Sequence, residues 1–326
     1  MSRVTVLMSV LDGEKYLRQA VDSVLNQTHR DIRLVCIDDA STDSTPQILA
    51  EYAAADSRVT VLTHLQNTGQ AVARNDGLKY AEGEYVTMVD ADDWLSADAI
   101  ASAVAVLDSD SSVGAVLFDL HYVRDGVETP YDMRTATRRW TGPEAMKLSL
   151  DWSVHGLYVA RAGLYEKYPF DTACKLYSDD NTTRMHFLHS TAVACCEGIY
   201  YYRMHGESMT NADSIRRYDL LEANSSMARQ LRQEGLPDDI RAVFEKSRWI
   251  NLTGIAICWT EHRWITDDKE NSDVLRRLKA VYDDIEFGLL PLSLKMKFGY
   301  RPCRDFEHYM KAVSRYALAR RLLGRN

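Results

Sequence analysis

The feature that most constrains the fold is a group of carboxylates placed directly after an apolar strand pattern. The apolar run at residues 85–89 is typical of a buried strand, and three aspartates follow it within residues 90–93. A second apolar run, at residues 32–37, ends in Asp38 and Asp39. Open α/β sheets bind ligands at the carboxyl ends of their parallel strands, so we expect both acidic groups at one crevice.

Acidic side chains gathered at one point need a compensating cation, and a hard divalent ion such as Mg²⁺ or Mn²⁺ suits carboxylate oxygens. The alternative is a solvated turn, because Asp is also common in turns and at helix N-caps. We favour that alternative for Asp43 and Asp98. Asp39, Asp90 and Asp92 follow strand ends directly, which favours a binding role.

Strand and helix patterns alternate along the first 120 residues, which predicts an α/β fold with a mostly parallel sheet flanked by helices. The strand patterns lie at residues 4–10, 32–37, 59–63, 85–89 and 113–118. Beyond them come a hairpin pattern and two short strand patterns, at 191–196 and 199–202. Helical patterns dominate from about residue 213. We therefore expect two domains, residues 1–210 and a mainly helical region at 211–326.

Composition indicates an ordinary globular protein, with 46% hydrophobic and 26% charged residues. No apolar run approaches the ~20 residues of a membrane-spanning helix. The N-terminal apolar run is too short for a signal peptide. Six cysteines lack metal-site spacing and fit a reduced, cytoplasmic environment, so we expect a cytoplasmic enzyme.

Charge is distributed unevenly between the body and the C-terminal tail. Residues 290–326 carry a net charge of +7, and the remainder carries −15. Nucleic acid is therefore not expected as a partner of the body. The tail has the basic, amphipathic character of a segment that rests on an anionic membrane surface. The alternative is that its apolar side packs on its own domain. Its apolar residues are expected broadly along one helical side: Met310, Val313, Tyr316, Ala317, Leu322 and Leu323.

Two common nucleotide-binding loops are missing from the sequence. No Gly-x-Gly-x-x-Gly follows the first strand, and no Gly-x-x-x-x-Gly-Lys-Ser/Thr occurs. A phosphate-bearing ligand would therefore be held through a metal and side chains.

Five motifs together resemble the family 2 glycosyltransferases, which have the GT-A fold, over about the first 210 residues. They are Leu17–Gln27, Asp38–Asp43, Asn67–Gly69, Ala73–Gly77 and Asp90–Asp93. The resemblance implies inverting transfer of a hexosyl or N-acetylhexosaminyl group, with Mg²⁺ or Mn²⁺ as cofactor. The donor would be a nucleotide diphosphosugar, for which we expect a UDP-sugar. The acceptor would be a hydroxyl of a glycan or lipid-linked molecule in surface polysaccharide synthesis.

The resemblance also assigns residues to the donor. Asp39 resembles the acid that accepts the imide N–H of the base, although it could instead cap the next loop. Arg74 resembles the arginine near the pyrophosphate, where a planar guanidinium matches phosphate oxygens. Leu11 stands where the family usually has a tyrosine, so aromatic stacking on the base is lost. The donor set is completed by Ser9, Asn67, Asp90, Ala91 and Asp92.

For the metal, the resemblance indicates Asp90 and Asp92 as the two ends of an Asp-x-Asp motif. The segment around Arg203 and His205 resembles the family's Tyr-Arg-x-His sequence, which is followed by Ser and Thr. His205 could thus reach the metal or the diphosphate, although a loop histidine is often only solvated.

For catalysis, Asp180 matches the family's catalytic aspartate, and Asp179 replaces a glutamate. Inversion needs a carboxylate that takes the proton from the attacking acceptor hydroxyl. An acidic pair at a helix N-terminus could equally be a cap that interacts with the helix dipole.

Two other functions fit the sequence less well. A nucleotidyltransferase would need a glycine-rich basic loop after the first strand, whereas residues 11–15 contain one glycine. A non-catalytic binding module would keep the fold but lose the acids, and all of them are present.

Overall fold

The alternating sequence pattern folds into one sheet, which has ten strands within the residues that the structure describes. A computed structural model describes residues 3–205, 218–262, 268–296 and 304–322. The strands are β1 (Val4–Val10), β2 (Ile32–Asp38), β3 (Val59–Thr63), β4 (Tyr85–Met88), β5 (Trp94–Leu95), β6 (Val113–Arg124), β7 (Val127–Pro130), β8 (Arg139–Thr141), β9 (Tyr158–Arg161) and β10 (Ala192–Arg203).

The strand order is β3-β2-β1-β4-β9-β6-β10-β5, with β7 paired to β6 and β8 paired to β10. Strands β1 to β4 pair in parallel with one another, as predicted. Strand β9 runs antiparallel to both β4 and β6. The predicted α/β class and the flanking helices are confirmed, while the sheet as a whole is mixed.

Helices cover the sheet and form the C-terminal part of the chain. They are α1 (Leu17–Leu25), α2 (Thr45–Ala55), α3 (Gln70–Leu78), α4 (Ala99–Ser109), α5 (Gly142–Ser149), α6 (Ala162–Lys167), α7 (Ser178–Leu188), α8 (Asp219–Gln233), α9 (Asp238–His262), α10 (Asp268–Asp284), α11 (Leu292–Lys295) and α12 (Phe306–Leu322). The chain divides into two compact units, Met1–Met209 and Thr210–Asn326. The predicted boundary near residue 210 lies outside the described residues.

The core explains why these elements form. Strand β1 is buried along almost its whole length, which suits a continuous apolar run inside a parallel sheet. Helix α1 buries Leu17, Ala20, Val21 and Val24, whose helical spacing places them on one face. Because β1, β2 and β4 are parallel, their carboxyl ends meet at one edge of the sheet.

Strand β10 differs from the sequence-based expectation of two short strands. It is one strand, 192–203, with an irregular register against β6 between Cys195 and Ile199. The irregularity includes residues 197–198, which the sequence pattern predicted as the gap between two strands. Continuity of β10 brings Arg203 and His205 to the same sheet edge as the acidic groups.

The second unit has its own core, built mainly from α9, α10 and α12. On α12, Tyr309, Val313 and Ala317 are buried in it. Leu322 is 79% exposed, so the expected placement of Val313 and Leu322 on one side was wrong. They are nine residues apart, and nine steps of about 100° put Leu322 across the helix. Leu323 lies outside the described residues.

The length and hydropathy needed to cross a membrane do not occur together in any helix of the described ranges.

Helix α5 provides a test of backbone packing against the C-terminal end of α7. A Cβ at Gly142, the first residue of α5, would lie 2.1 Å from the carbonyl oxygen of Ser190 and 2.3 Å from that of Phe187. Neither oxygen can move unless its backbone segment shifts. We therefore expect Gly142→Ala to lower the free energy of unfolding in urea by about 2 kcal/mol or more. Gly163→Ala is the control, because nothing lies within 4 Å of its Cβ position. Equal stability of the two variants would contradict the packing argument.

Candidate active site

The loops after β1 and β2 are tied together at the sheet edge. The backbone N–H of Asp12 donates to Ser41 Oγ at 2.9 Å, and that of Thr42 donates to Asp12 Oδ1 at 2.7 Å. Both loops contain a non-glycine residue with positive φ, Asp12 at 51° and Ala40 at 68°. Strained backbone of this kind concentrates at functional sites.

Two residues that the sequence predicts to bind the nucleotide-sugar donor lie in or beside the first of these loops. Leu11 is 45% exposed, so its side chain is open to solvent. Ser9 Oγ is buried and finds no hydrogen-bond partner among the described residues.

Asp39 organises the segment that connects β3 to α3. Its Oδ1 accepts hydrogen bonds from Thr68 N at 2.9 Å and Thr68 Oγ1 at 2.8 Å, and lies 2.7 Å from His64 Nδ1. Its Oδ2 accepts from Gly69 N at 2.8 Å. Burial raises the pKa of Asp39, but the hydrogen bonds from Thr68, His64 and Gly69 outweigh burial and lower it. Oδ2 keeps a second lone pair for a further donor. Asn67 Oδ1 also accepts from Gly69 N, at 3.1 Å.

Arg74 is almost fully buried, at 1% exposure, and pairs with Asp90. Its Nη2 lies 2.5 Å from Asp90 Oδ1, and its guanidinium carbon lies 5.4 Å from the centre of the Phe170 ring. Its Nη1 is buried without a hydrogen-bond partner in the described part of the chain. The guanidinium thus reaches the acidic group, and its predicted contact with a diphosphate stays a prediction.

Acidic side chains from separate elements converge around Asp90. Burial raises the pKa of Asp90 to about 6, Arg74 acts against this rise, and the charges of Asp92 and Asp179 add to it. Asp179 comes from α7, so the helix and the β4 edge share one electrostatic neighbourhood. Ala91, between the two aspartates, is partly buried and packs on the apolar core.

Asp92 is joined by a residue from the far end of β10. His205 Nε2 lies 2.9 Å from Asp92 Oδ2. His205 Nδ1 is buried and has no hydrogen-bond partner among the described residues. The structure therefore brings together two of the three residues predicted for the metal. The Ser and Thr expected after His205 lie outside the described residues.

Asp93 has a structural role that the sequence analysis missed. It is 2% exposed, its Oδ2 accepts from Tyr200 Oη at 2.9 Å, and its Oδ1 accepts from Arg203 N at 2.8 Å. Burial raises its pKa well above the usual range, and the charges of Asp90 and Asp92 raise it further. Three acids within four residues at a strand end could have signalled that one of them anchors the turn.

The acidic pair lies in the first turn of α7, after Tyr177 with its left-handed φ of 64°. Asp179 Oδ1 accepts from Asp180 N at 3.0 Å, within the first turn of the helix. Asp180 Oδ2 lies 3.4 Å from Arg184 Nη2. Burial raises the pKa of Asp180 to about 6, Arg184 acts against this rise, and Asp179 adds to it. A carboxyl group with a pKa near neutrality is suited to proton transfer.

The segment before α7 is fixed from two sides, by Asn75 on α3 and by Asn181 on α7. Asn75 Nδ2 donates to the Phe170 carbonyl at 2.8 Å, and Phe170 N donates to Asn75 Oδ1 at 2.9 Å. Asp171 Oδ2 then accepts from Asn181 Nδ2, on α7, at 2.9 Å. The loop that precedes α7 therefore links helix α3 to helix α7.

The residues at this edge fit a divalent cation in their chemistry. Asp92 supplies carboxylate oxygen and His205 an imidazole nitrogen, both of which bind Mn²⁺, while Mg²⁺ prefers the oxygen. The buried Nδ1 of His205 is a polar atom for which the described residues provide no partner. Within those residues no ready group of three or more ligating side chains is present. Phosphate oxygens of a substrate, together with water, would complete the coordination.

Comparison with known proteins identifies the family. Glycosyl transferase family 2 matches residues 5–171, which is more than half of the chain. The chain belongs to this family, and the prediction made from its motifs is confirmed.

Several curated relatives have similar sequences. Glycosyltransferase GlyG of Streptococcus pneumoniae is 24% identical over 298 residues, which cover 86% of this chain and 96% of GlyG. Glycosyltransferase GlyA of the same organism is 29% identical over 250 residues, which cover 72% of this chain and 35% of GlyA. The alignment thus spans about a third of GlyA. The poly(ribitol-phosphate) β-glucosyltransferase of Bacillus spizizenii is 36% identical over 101 residues, covering 30% of this chain and 16% of that enzyme.

Solved structures share the fold. S. aureus TarS 1-349 in complex with UDP-GlcNAc superposes with a TM-score of 0.77 at 21% identity, covering 97% of this chain and 92% of that chain. The mannosyltransferase PcManGT of Pyrobaculum calidifontis, in complex with GDP-Man and Mn²⁺, superposes with a TM-score of 0.57 at 19% identity, covering 100% of this chain and 88% of that chain. At these identities the similarity shows the fold.

The Asp39 contacts predict how its loss would affect the loop. Asp39→Asn replaces one acceptor oxygen by an NH₂ group, which cannot accept a hydrogen bond from the backbone N–H groups that face it. We expect a loss of about 1–3 kcal/mol in the free energy of unfolding. We also expect faster chymotrypsin cleavage at the fully exposed Leu65. The exposed Asp132→Asn is the control and should change neither quantity. Unchanged cleavage at Leu65 in Asp39→Asn would show that the carboxylate does not hold the loop.

Proposed function

We propose that this chain transfers a sugar from a UDP-sugar, with inversion, to a hydroxyl of a glycan or lipid-linked acceptor. One observation carries the proposal: Asp90 shares an electrostatic neighbourhood with Asp92 and with Asp179. Asp180, whose pKa is raised to about 6, is next along the chain. The aspartates that face the sugar donor and the catalytic base would thus belong to one active site.

The comparisons support the substrate classes. TarS is described with UDP-GlcNAc, and a relative is named poly(ribitol-phosphate) β-glucosyltransferase. We therefore favour a UDP-linked hexose or N-acetylhexosamine and a role in surface polysaccharide synthesis, on the cytoplasmic side of the membrane. Residues 1–210 would form the transferase domain and residues 211–326 a helical accessory region.

The proposed chemistry begins at Asp180. Its ionised carboxylate takes the proton of the acceptor hydroxyl while the hydroxyl oxygen attacks the anomeric carbon of the donor. The new C–O bond forms on the face opposite the leaving group, and the bond to the diphosphate oxygen breaks. The electron pair of that bond leaves with the nucleoside diphosphate. Arg184 keeps one oxygen of Asp180 oriented, at 3.4 Å. Within the described residues Oδ1 accepts no hydrogen bond, which leaves it for the proton.

On the donor side, Asp92 and His205 would hold Mg²⁺ or Mn²⁺, and Asp90 would support them. A bound cation would supply positive charge to the leaving diphosphate. Arg74 offsets the charge of Asp90 at 2.5 Å, which limits the repulsion between the two aspartates. Asp39 is expected to receive the base through the free lone pair of Oδ2.

A donor screen tests the proposal. We expect hydrolysis or transfer with a UDP-sugar in the presence of Mn²⁺, and almost none after chelation with EDTA. Asp92→Asn should remove most of the metal-dependent activity, because a neutral amide binds a hard cation more weakly than a carboxylate. The fold should survive, as judged by thermal unfolding. Wild-type rates and unchanged metal dependence in this variant would refute the metal assignment.

A second prediction separates the two acids of α7. Asp180→Asn should lower kcat by about 10²-fold or more while donor binding stays nearly unchanged. Asp179→Asn should have a smaller effect. Because a base must be ionised, wild-type kcat should fall as pH drops through about 6, where the Asp180 carboxyl becomes protonated. A reversed ranking would move the base to Asp179, and full activity in both variants would make the pair a cap.

The proposal includes contact of the C-terminal tail with a membrane surface. The buried Tyr309, Val313 and Ala317 belong to the core of the second unit, which favours packing within the chain. Leu318 and Leu322 are exposed, at 58% and 79%, on a helix whose last turn is basic. These side chains could rest on an anionic surface, which gains about 1 kcal/mol per basic residue near it.

Co-sedimentation with phosphatidylserine vesicles checks this contact. If the tail docks, full-length protein pellets at low salt and less at high salt. Arg321→Glu should weaken pelleting, whereas Arg229→Glu, an exposed change on α8, should not. If neither substitution matters, or nothing pellets, the tail does not bind membranes.

A further inference from the structure

We propose that Arg203 is a positioning residue, which holds Asp92 and His205 together so that they can receive a divalent cation and a diphosphate. This inference rests on the proposed function. Arg203 ends β10, two residues before His205, and its side chain reaches back to the turn that carries the aspartates.

The guanidinium of Arg203 is clamped between two aromatic rings. Its central carbon lies 4.3 Å from the centre of the Tyr16 ring and 4.5 Å from that of the Trp94 ring. Trp94 in turn stacks on Tyr201, with ring centres 5.1 Å apart. Stacking on two faces fixes the plane of the guanidinium, which a solvated arginine would not maintain.

Arg203 also donates hydrogen bonds to the acidic turn at residues 90–93 and to α1. Arg203 Nε donates to the carbonyl oxygen of Asp92 at 2.8 Å, and its backbone N–H donates to Asp93 Oδ1 at 2.8 Å. Its Nη2 donates to Gln19 Oε1, on α1, at 2.6 Å. One residue therefore connects α1, the acidic turn and the end of β10.

The same clamp orients the histidine. The Tyr16 ring that stacks on Arg203 also lies 5.4 Å, centre to centre, from the imidazole of His205. His205 Nε2 meets Asp92 Oδ2 at 2.9 Å. Both members of the pair thus border groups that Arg203 fixes, Asp92 through its carbonyl and His205 through Tyr16. The pair itself uses no atom of Arg203, so Arg203 acts through it.

Lysine at this position should keep the charge and lose the function. The ammonium of lysine is not planar, so it cannot stack between two rings. The lysine side chain also lacks the Nε–H group with which arginine reaches the Asp92 carbonyl. A residue that only stabilised the fold would show a lower melting temperature in Arg203→Lys with normal cation binding. A positioning residue predicts weaker cation binding in protein that is still folded.

Calorimetric titration of UDP in the presence of Mn²⁺, without acceptor, measures binding apart from turnover. We expect Arg203→Lys to weaken this binding about tenfold, the scale of one lost charge-assisted hydrogen bond. With Mn²⁺ and donor at saturation, kcat should stay within about threefold of wild type, because the chemical step does not use Arg203. The control is Arg18→Lys, an exposed α1 arginine paired with Glu51, which should bind normally.

A double-mutant cycle decides whether Arg203 acts through the histidine. If it does, adding Arg203→Lys to His205→Gln should weaken Mn²⁺·UDP binding by less than about threefold further, because the pair is already lost. Full additivity of the two effects would overturn the proposal.

Trp94 provides a milder test in case Arg203→Lys does not fold. Trp94→Phe keeps a ring on the guanidinium and should bind nearly as wild type, whereas Trp94→Leu should resemble Arg203→Lys. Equal binding by Trp94→Leu, Arg203→Lys and wild type overturns the positioning role but leaves the proposed function standing. Wild-type protein that binds no Mn²⁺·UDP overturns both.

Discussion

The mutual repulsion of carboxylates at one sheet edge is the constraint on which the rest of this site depends. Asp90, Asp92 and Asp93 share a single turn after β4, and α7 adds Asp179 to the same field. Burial strengthens such repulsion, because water no longer screens the charges. Burial raises the pKa of Asp90 to about 6, and the charges of Asp92 and Asp179 add to that rise. Cationic and hydrogen-bonding partners must therefore surround the turn, and the fold supplies them from α3 and from the end of β10.

Much of this arrangement could be predicted from local sequence. The strands at 4–10 and 59–63 have the predicted bounds, because apolar runs bounded by turn residues leave little choice. The placement of Asp39 and of residues 90–93 after parallel strands followed from the alternation of strands and helices. That alternation also gave the α/β class, which the comparisons confirm. The roles of the individual acids stay predictions, since contacts within the protein do not reveal which atoms meet a substrate.

What the sequence did not reveal depends on contacts between distant residues. Asp93 is anchored by Tyr200 and Arg203, more than one hundred positions further along the chain. The link between Asn75 and Phe170 spans 95 positions. No local periodicity encodes such pairs, because they arise only when β10 and the loop before α7 reach the sheet edge. The mixed character of the sheet has the same origin, since the direction of β9 depends on the long connection that precedes it.

The distribution of partners among the acids indicates where a cation would contribute most. Asp90 already has Arg74 at 2.5 Å, and Asp180 has Arg184 at 3.4 Å. Asp93 is satisfied by one hydroxyl and one backbone N–H. Asp92 has His205, whose charge depends on protonation, and its backbone carbonyl rather than its carboxylate receives Arg203. Among the described acids of the turn, Asp93 and Asp92 both lack a permanent positive partner, but Asp93 is buried at 2% exposure, whereas the side chain of Asp92 is 39% exposed. A divalent ion placed there would offset the remaining negative charge and would be free to face an incoming diphosphate.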